Sequence, residues 1–92
     1  MDEQRDLLKK VEFGIEVEAF LNGPIGKYLL QQSERDVAEA TEQLKTVNPT
    51  DFGKIVELQS IIRRWEDTEG WLAGIIQEGW HAERQLKGED SL

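Results

Sequence analysis

The stretch NPTDFGKIVELQSIIRRWEDTEGWLAGIIQEGWHAERQLK, residues 48–87, decides the fold of this chain. Its only proline is at the second position, and its apolar residues recur at alternating three- and four-residue steps. This spacing is typical of a helix that packs along one face, and Glu69 alone interrupts it. The pattern predicts one long helix over residues 49–87. Its apolar seam consists of Ile55, Leu58, Ile62, Trp65, Leu72 and Ile76.

Local signals place the start of this helix but leave its continuity open. Asn48 is suited to the N-cap, Pro49 to the first helical position, and Asp51 to the positive end of the helix dipole. The C-terminal half of the segment holds three glycines: Gly70, Gly74 and Gly79. Each costs a helix about 1 kcal/mol relative to alanine. Together they indicate either a break near the first of them or a face that another backbone approaches.

The first half of the chain predicts two shorter helices, over residues 2–21 and 24–46, separated by Asn22-Gly23-Pro24. Asparagine and glycine suit a helix end, and proline is tolerated at the first position of the next helix. Residues 11–19 also alternate between apolar and polar, as a half-buried strand does. We favour a helix because a lone strand finds no partner in this chain. The alternative is a strand paired between two copies.

These segments predict a single all-α domain over residues 1–92, with a frayed tail at 88–92. It is expected to be a helical hairpin or three-helix arrangement with one long C-terminal helix. The third helix would span about 60 Å and the second about 33 Å, at about 1.5 Å per residue. The first two helices match the third if they lie end to end; otherwise its C-terminal half projects without a partner. A chain this short buries a marginal core, so we expect a homo-oligomer.

The contact surface with another copy is predicted on the first and third helices. The first helix carries apolar residues on two faces, which is typical of a helix buried from both sides. Tryptophan is enriched at protein interfaces, and two tryptophans fall in the half of the third helix that the second is too short to reach. The alternative is that they cap the ends of the chain's own core. The predicted interface residues are Phe13, Val17, Phe20, Trp71, Ile75 and Trp80.

Composition excludes several classes of function. The chain has 19 acidic and 11 basic residues, a net charge of −8, and no cluster of lysine and arginine. Direct binding to nucleic acid or to an anionic membrane needs such a cluster. Cysteine is absent, and there is no phosphate-binding glycine loop and no Ser-His-Asp arrangement. We therefore expect a soluble, intracellular, non-enzymatic protein without catalytic residues or a cofactor.

One short motif has a metal-binding interpretation. Glu78 and His81 are three residues apart and share a helix face, as ligands do in di-iron carboxylate bundles. A ferritin-like site would also need a glutamate from another helix, with Glu39 and Glu42 as candidates. Because Gly79 lies inside the motif near a helix end, the ligand geometry would be loose. We favour a surface or interfacial histidine and no bound metal.

Two segments resemble small helical proteins of unassigned role encoded by tailed bacteriophages and prophages. They are VEFGIEVEAFLNGPIGKYLLQQSERDVAEATEQLKTVNPTD, residues 11–51, and WLAGIIQEGWHAE, residues 71–83. The resemblance implies a viral setting, in which such proteins commonly serve as virion or assembly components. The expected location is the cytoplasm of the bacterial host or a virion, and the expected partner is another copy of the chain, or another phage or host protein.

The main alternative function is an acidic phage-encoded inhibitor that binds a host protein. One form of it would present carboxylates in place of DNA phosphates. Such mimicry needs a continuous acidic face, whereas lysines and arginines interleave with the acids along this chain. We therefore favour a structural or interaction protein that self-assembles through its helices.

Overall fold

The computed structural model describes residues 2–88, and these form three α-helices joined by two short connections. The helices are α1 (Asp2–Asn22), α2 (Pro24–Thr46) and α3 (Phe52–Lys87). The prediction of an all-α, three-helix arrangement with one long C-terminal helix is confirmed. No strand occurs among the described residues, and residues 11–19 lie inside α1, so the alternative of an intermolecular strand is wrong.

The predicted start of α3 is wrong, because the helix begins at Phe52 instead of residue 49. The side-chain oxygen of Asn48 accepts hydrogen bonds from the Thr50 backbone N–H at 3.0 Å and the Thr50 hydroxyl at 2.8 Å. It therefore organises a turn that precedes the helix. Asp51 is the N-cap, and its carboxylate accepts a hydrogen bond from the Lys54 backbone N–H at 3.1 Å.

A left-handed glycine ends α3. Gly88 has a φ of 76°, and its N–H is directed at the carbonyl oxygens of Arg84 and Gln85. This conformation suits glycine because a Cβ would clash with the following carbonyl group. Gly88 is thus a helix cap and not the first residue of a frayed tail, and residues 89–92 of the predicted tail lie outside the described residues.

The connection between α1 and α2 is a tight turn at Gly23. Its N–H donates to the carbonyl oxygen of Phe20 at 3.1 Å, and its own carbonyl oxygen accepts from the Lys27 N–H at 2.9 Å. Pro24 takes the first position of α2, as predicted. A Cβ on Gly26 would overlap the Phe20 carbonyl oxygen. Only glycine at that position lets the start of α2 lie so close to the end of α1.

The second helix packs against the N-terminal half of α3 and runs antiparallel to it. The Trp65 indole N–H donates to a carboxylate oxygen of Asp36 at 3.1 Å, and the Ser33 hydroxyl donates to Glu69 at 2.7 Å. Ser33 is 1% exposed, so its hydroxyl satisfies its hydrogen-bonding need through Glu69. Glu69, which interrupts the apolar seam of α3, is therefore the hydrogen-bond acceptor for the buried Ser33 hydroxyl of α2.

The first helix packs against the C-terminal half of α3, which is not left without a partner. Gly14 lies against Gly79: a Cβ on Gly79 would be 3.1 Å from the Lys10 carbonyl oxygen and 3.3 Å from the Gly14 Cα. The third helix is continuous through Gly70 and Gly74, where a Cβ would meet nothing within 4 Å. Of the three glycines in this half of α3, Gly79 is the one that the backbone of α1 approaches. The helix has no break at any of them.

The enclosed core is small for a chain of this length. Among the described residues the buried apolar side chains are Ala40, Leu58 and Ala82, each 2% exposed. The accessible surface is 7222 Å², whereas a compact monomer of this mass exposes about 5,500 Å². The radius of gyration is 18.5 Å, against about 12 Å for a compact domain of equal length. The chain is elongated, with extents of 57 × 28 × 22 Å.

Gly79→Ala should lower the free energy of unfolding by about 1–3 kcal/mol, because the added methyl group meets backbone atoms of α1. Gly70→Ala is the matched control on the same helix. It places the methyl group in open space and should raise the free energy of unfolding by up to about 1 kcal/mol. Urea denaturation followed by circular dichroism measures both changes. Equal effects of the two substitutions would contradict the close contact at Gly79.

Glu69→Ala should lower the free energy of unfolding by about 1 kcal/mol, because it leaves the buried Ser33 hydroxyl without its acceptor. In a Ser33→Ala background the same substitution should lower the free energy of unfolding by less, since no serine hydroxyl is left without an acceptor. A double-mutant cycle in urea isolates the coupling between the two side chains. A coupling free energy near zero would mean that this hydrogen bond does not help hold α2 to α3.

Candidate functional site

Large apolar side chains are left on the surface where α1 and α3 meet. Phe13 is 51% exposed and Trp71 is 66% exposed. They line an open groove of about 520 Å³, called here the α1–α3 groove. Its lining residues are Lys9, Lys10, Glu12, Phe13, Glu16, Trp71, Ile75 and Glu78. A groove lined by an exposed tryptophan and an exposed phenylalanine is typical of a protein-interaction surface.

The contact between Gly14 and Gly79 lies beside this groove, and neither glycine lines it. Because neither residue has a side chain, the two helix backbones approach closely along this line. The side chains beside it, Phe13 on α1 and Ile75 on α3, have no room between the helices and lie along the edge of the contact. The groove therefore lies at the edge of this close contact between the two helices.

Charged residues of both signs surround the apolar part of the groove. Lys9 and Lys10 precede Phe13 along α1, while Glu16 follows it, and all three are exposed. In the described part of the chain, the ion pairs involve other residues, so Lys9 and Glu16 are not paired with each other. An apolar centre with a charged rim is the usual arrangement of a protein–protein contact surface.

Three of the six residues predicted for the interface come together in this groove: Phe13, Trp71 and Ile75. Trp80, which is 56% exposed, lines a shallow depression on the other flank of the α1–α3 contact, beside Ile15. Positions 13 and 15 are about 200° apart around a helix, so these two flanks face opposite directions. One partner surface therefore does not cover both tryptophans.

The remaining two predicted interface residues lie on the same helix as Phe13. Phe20 is 45% exposed and Val17 is half-buried, and neither lines the α1–α3 groove. The sequence prediction missed Gly14, which meets Gly79 of α3 at the contact beside the groove, although glycine in the middle of a helix was a visible signal. It also missed the opposite charges on either side of Phe13.

A second groove, of about 550 Å³, lies between α2 and α3. Its tryptophan, Trp65, already bonds Asp36, and its floor includes the buried side chains of Ala40 and Leu58. This depression is part of the packing between the two helices. The α1–α3 groove is the better candidate for a functional site because, within residues 2–88, its tryptophan makes no such side-chain hydrogen bond.

The described residues do not assemble the metal site considered from sequence. Glu78 and His81 are exposed on the C-terminal half of α3. Glu39 lines the α2–α3 groove beside Trp65, against the other half of α3, and so does not approach them. Within residues 2–88, no group of three or more histidine, aspartate or glutamate side chains could hold a metal ion.

Comparison with protein-family models, with curated proteins and with solved structures finds no match to this chain. None of the helices described between residues 2 and 88 has an apolar stretch that could cross a membrane. The chain is thus an all-helical protein in which two shorter helices pack against one long helix.

Trp71→Gln should change the free energy of unfolding of the single chain by no more than about 0.5 kcal/mol, because this side chain is 66% exposed. Leu58→Ala, on the same helix, should cost about 2–5 kcal/mol because Leu58 is 2% exposed. Urea denaturation, repeated at decreasing protein concentration until the midpoint no longer changes, compares the two. Similar losses would place Trp71 in the core of the chain and remove it from the candidate site.

Proposed function

We propose that this protein is a non-enzymatic structural or interaction protein that assembles with copies of itself through its helices, using the α1–α3 groove as contact surface. One observation carries the proposal: Phe13 and Trp71, 51% and 66% exposed, line one groove that residues 2–88 leave open. Aromatic side chains in such positions act as the anchors of protein interfaces.

The energetics support burial of this groove by a partner. A phenylalanine or tryptophan buries roughly 150–250 Å² when fully covered, and each Å² of apolar surface contributes about 25 cal/mol. Covering the exposed parts of the two rings therefore stabilises a complex by several kcal/mol per chain. The surface in excess of a compact monomer, about 1,700 Å², is more than the roughly 800 Å² that each partner gives to a standard interface.

The setting proposed for this assembly is a bacteriophage particle or its construction, in the cytoplasm of the bacterial host or in the virion. It rests on the resemblance of residues 11–51 and 71–83 to small phage-encoded helical proteins. A second copy of the chain is the first partner proposed, and another phage protein or a host protein could share the surface. Assembly of this kind needs no catalytic residue and no cofactor.

Light scattering at micromolar concentration tests the proposal directly. The parent chain should have a mass that is a multiple of 10.6 kDa and falls on dilution. Phe13→Gln and Trp71→Gln should shift it towards the monomer at concentrations where the parent is assembled, because each removes an apolar anchor. Tyr28→Gln is the matched control, since Tyr28 is 67% exposed but lies on α2 outside the groove.

Circular dichroism of the same samples separates loss of assembly from loss of folding. Helical content should be unchanged in all three variants, because none of the replaced side chains is buried. A parent mass that stays at 10.6 kDa on concentration, with a melting temperature independent of concentration, would contradict the proposal.

A further inference from the structure

One face of α1 carries a self-complementary pattern around Phe13. Lys9, Phe13, Glu16 and Phe20 follow one another at steps of four, three and four residues, which places them in one row along the helix. All four are exposed, and the first three line the α1–α3 groove. The row therefore has a base on one side of Phe13 and an acid on the other, at similar distances.

This row discriminates between two ways of pairing two copies of α1. In a parallel pairing in register, each lysine lies opposite the same lysine of the second chain and each glutamate opposite the same glutamate, which is repulsive. In an antiparallel pairing about a twofold axis at Phe13, Lys9 of each chain lies opposite Glu16 of the other. Along the helix axis, Lys9 lies about 6 Å from Phe13 and Glu16 about 4.5 Å from it. The flexible side chains of lysine and glutamate can bridge this small difference.

We propose that the occupant of the α1–α3 groove is α1 of a second copy, packed antiparallel about a twofold axis at Phe13, so that Lys9 pairs with the partner's Glu16. This inference rests on the proposed self-assembly and adds its geometry. A twofold contact uses the same patch on both chains, and the acid–base pattern around Phe13 meets that requirement. The charged pairs fix the direction of packing, while the aromatic rings at the centre supply the affinity.

Charge reversal at the two positions tests this geometry. Lys9→Glu alone and Glu16→Lys alone should each weaken self-association by roughly tenfold or more, because both cross-contacts of the antiparallel pair then join like charges. An equimolar mixture of the two variants should recover the parent mass, since each cross-contact regains one acid and one base. The double variant Lys9→Glu/Glu16→Lys should also recover it, because the pattern is inverted but still complementary.

The measurement is sedimentation equilibrium at low ionic strength, where the screening length exceeds about 10 Å. Lys27→Glu and Glu34→Lys on α2 are the matched controls: both side chains are exposed and lie outside the groove, so neither should change the dissociation constant beyond the effect of net charge. Circular dichroism should show the parent helical content in every variant.

The outcomes separate this inference from the proposed function. A parent chain that assembles, and that loses assembly with Trp71→Gln but not with either charge reversal, would overturn the antiparallel contact and leave self-assembly through the groove in place. A parent chain that stays monomeric would overturn both, and the groove would then take a different protein. Failure of the equimolar mixture to recover the parent mass, with both variants folded, would also overturn the antiparallel contact.

Discussion

The close approach of α1 to α3 at Gly14 and Gly79 is the contact on which the rest of the molecule depends. Two helices whose backbones meet at glycines bury little side-chain volume between them, because no Cβ lies at the crossing. The larger side chains beside the contact lie along its edges. The α1–α3 groove, with its exposed aromatic residues, lies beside this contact.

The two ends of α3 are held by different kinds of interaction. Towards its N-terminus, α2 contributes buried Ala40 against Leu58 and two polar links, Ser33 to Glu69 and Asp36 to Trp65. Towards its C-terminus, α1 contributes a close backbone contact flanked by exposed rings. The half of α3 that packs against α2 resembles the interior of a folded chain. The half that packs against α1 resembles one side of an interface. The exposed apolar surface of the molecule is therefore concentrated where α1 meets α3.

The candidate site was predictable in part. Phe13, Trp71 and Ile75 were all predicted as interface residues from helical spacing and the enrichment of tryptophan at interfaces, and the structure brings them into one groove. Trp80 was grouped with them because it follows in the same half of α3, yet it lies on the opposite flank. Its flank depends on how α3 is rotated against α1, and the spacing of residues within α3 does not contain that angle.

The sequence by itself determined the local structure of this protein: the three helices, the break at Gly23-Pro24 and the apolar face of α3. These follow from periodicity, capping and the properties of glycine and proline, which act over a few residues. Only the tertiary structure decided that Gly79 and not Gly70 meets another backbone, and that Ser33 faces Glu69. Each of these choices depends on where a neighbouring turn or helix is placed in space, and such placement is set by packing between segments that are distant in the sequence.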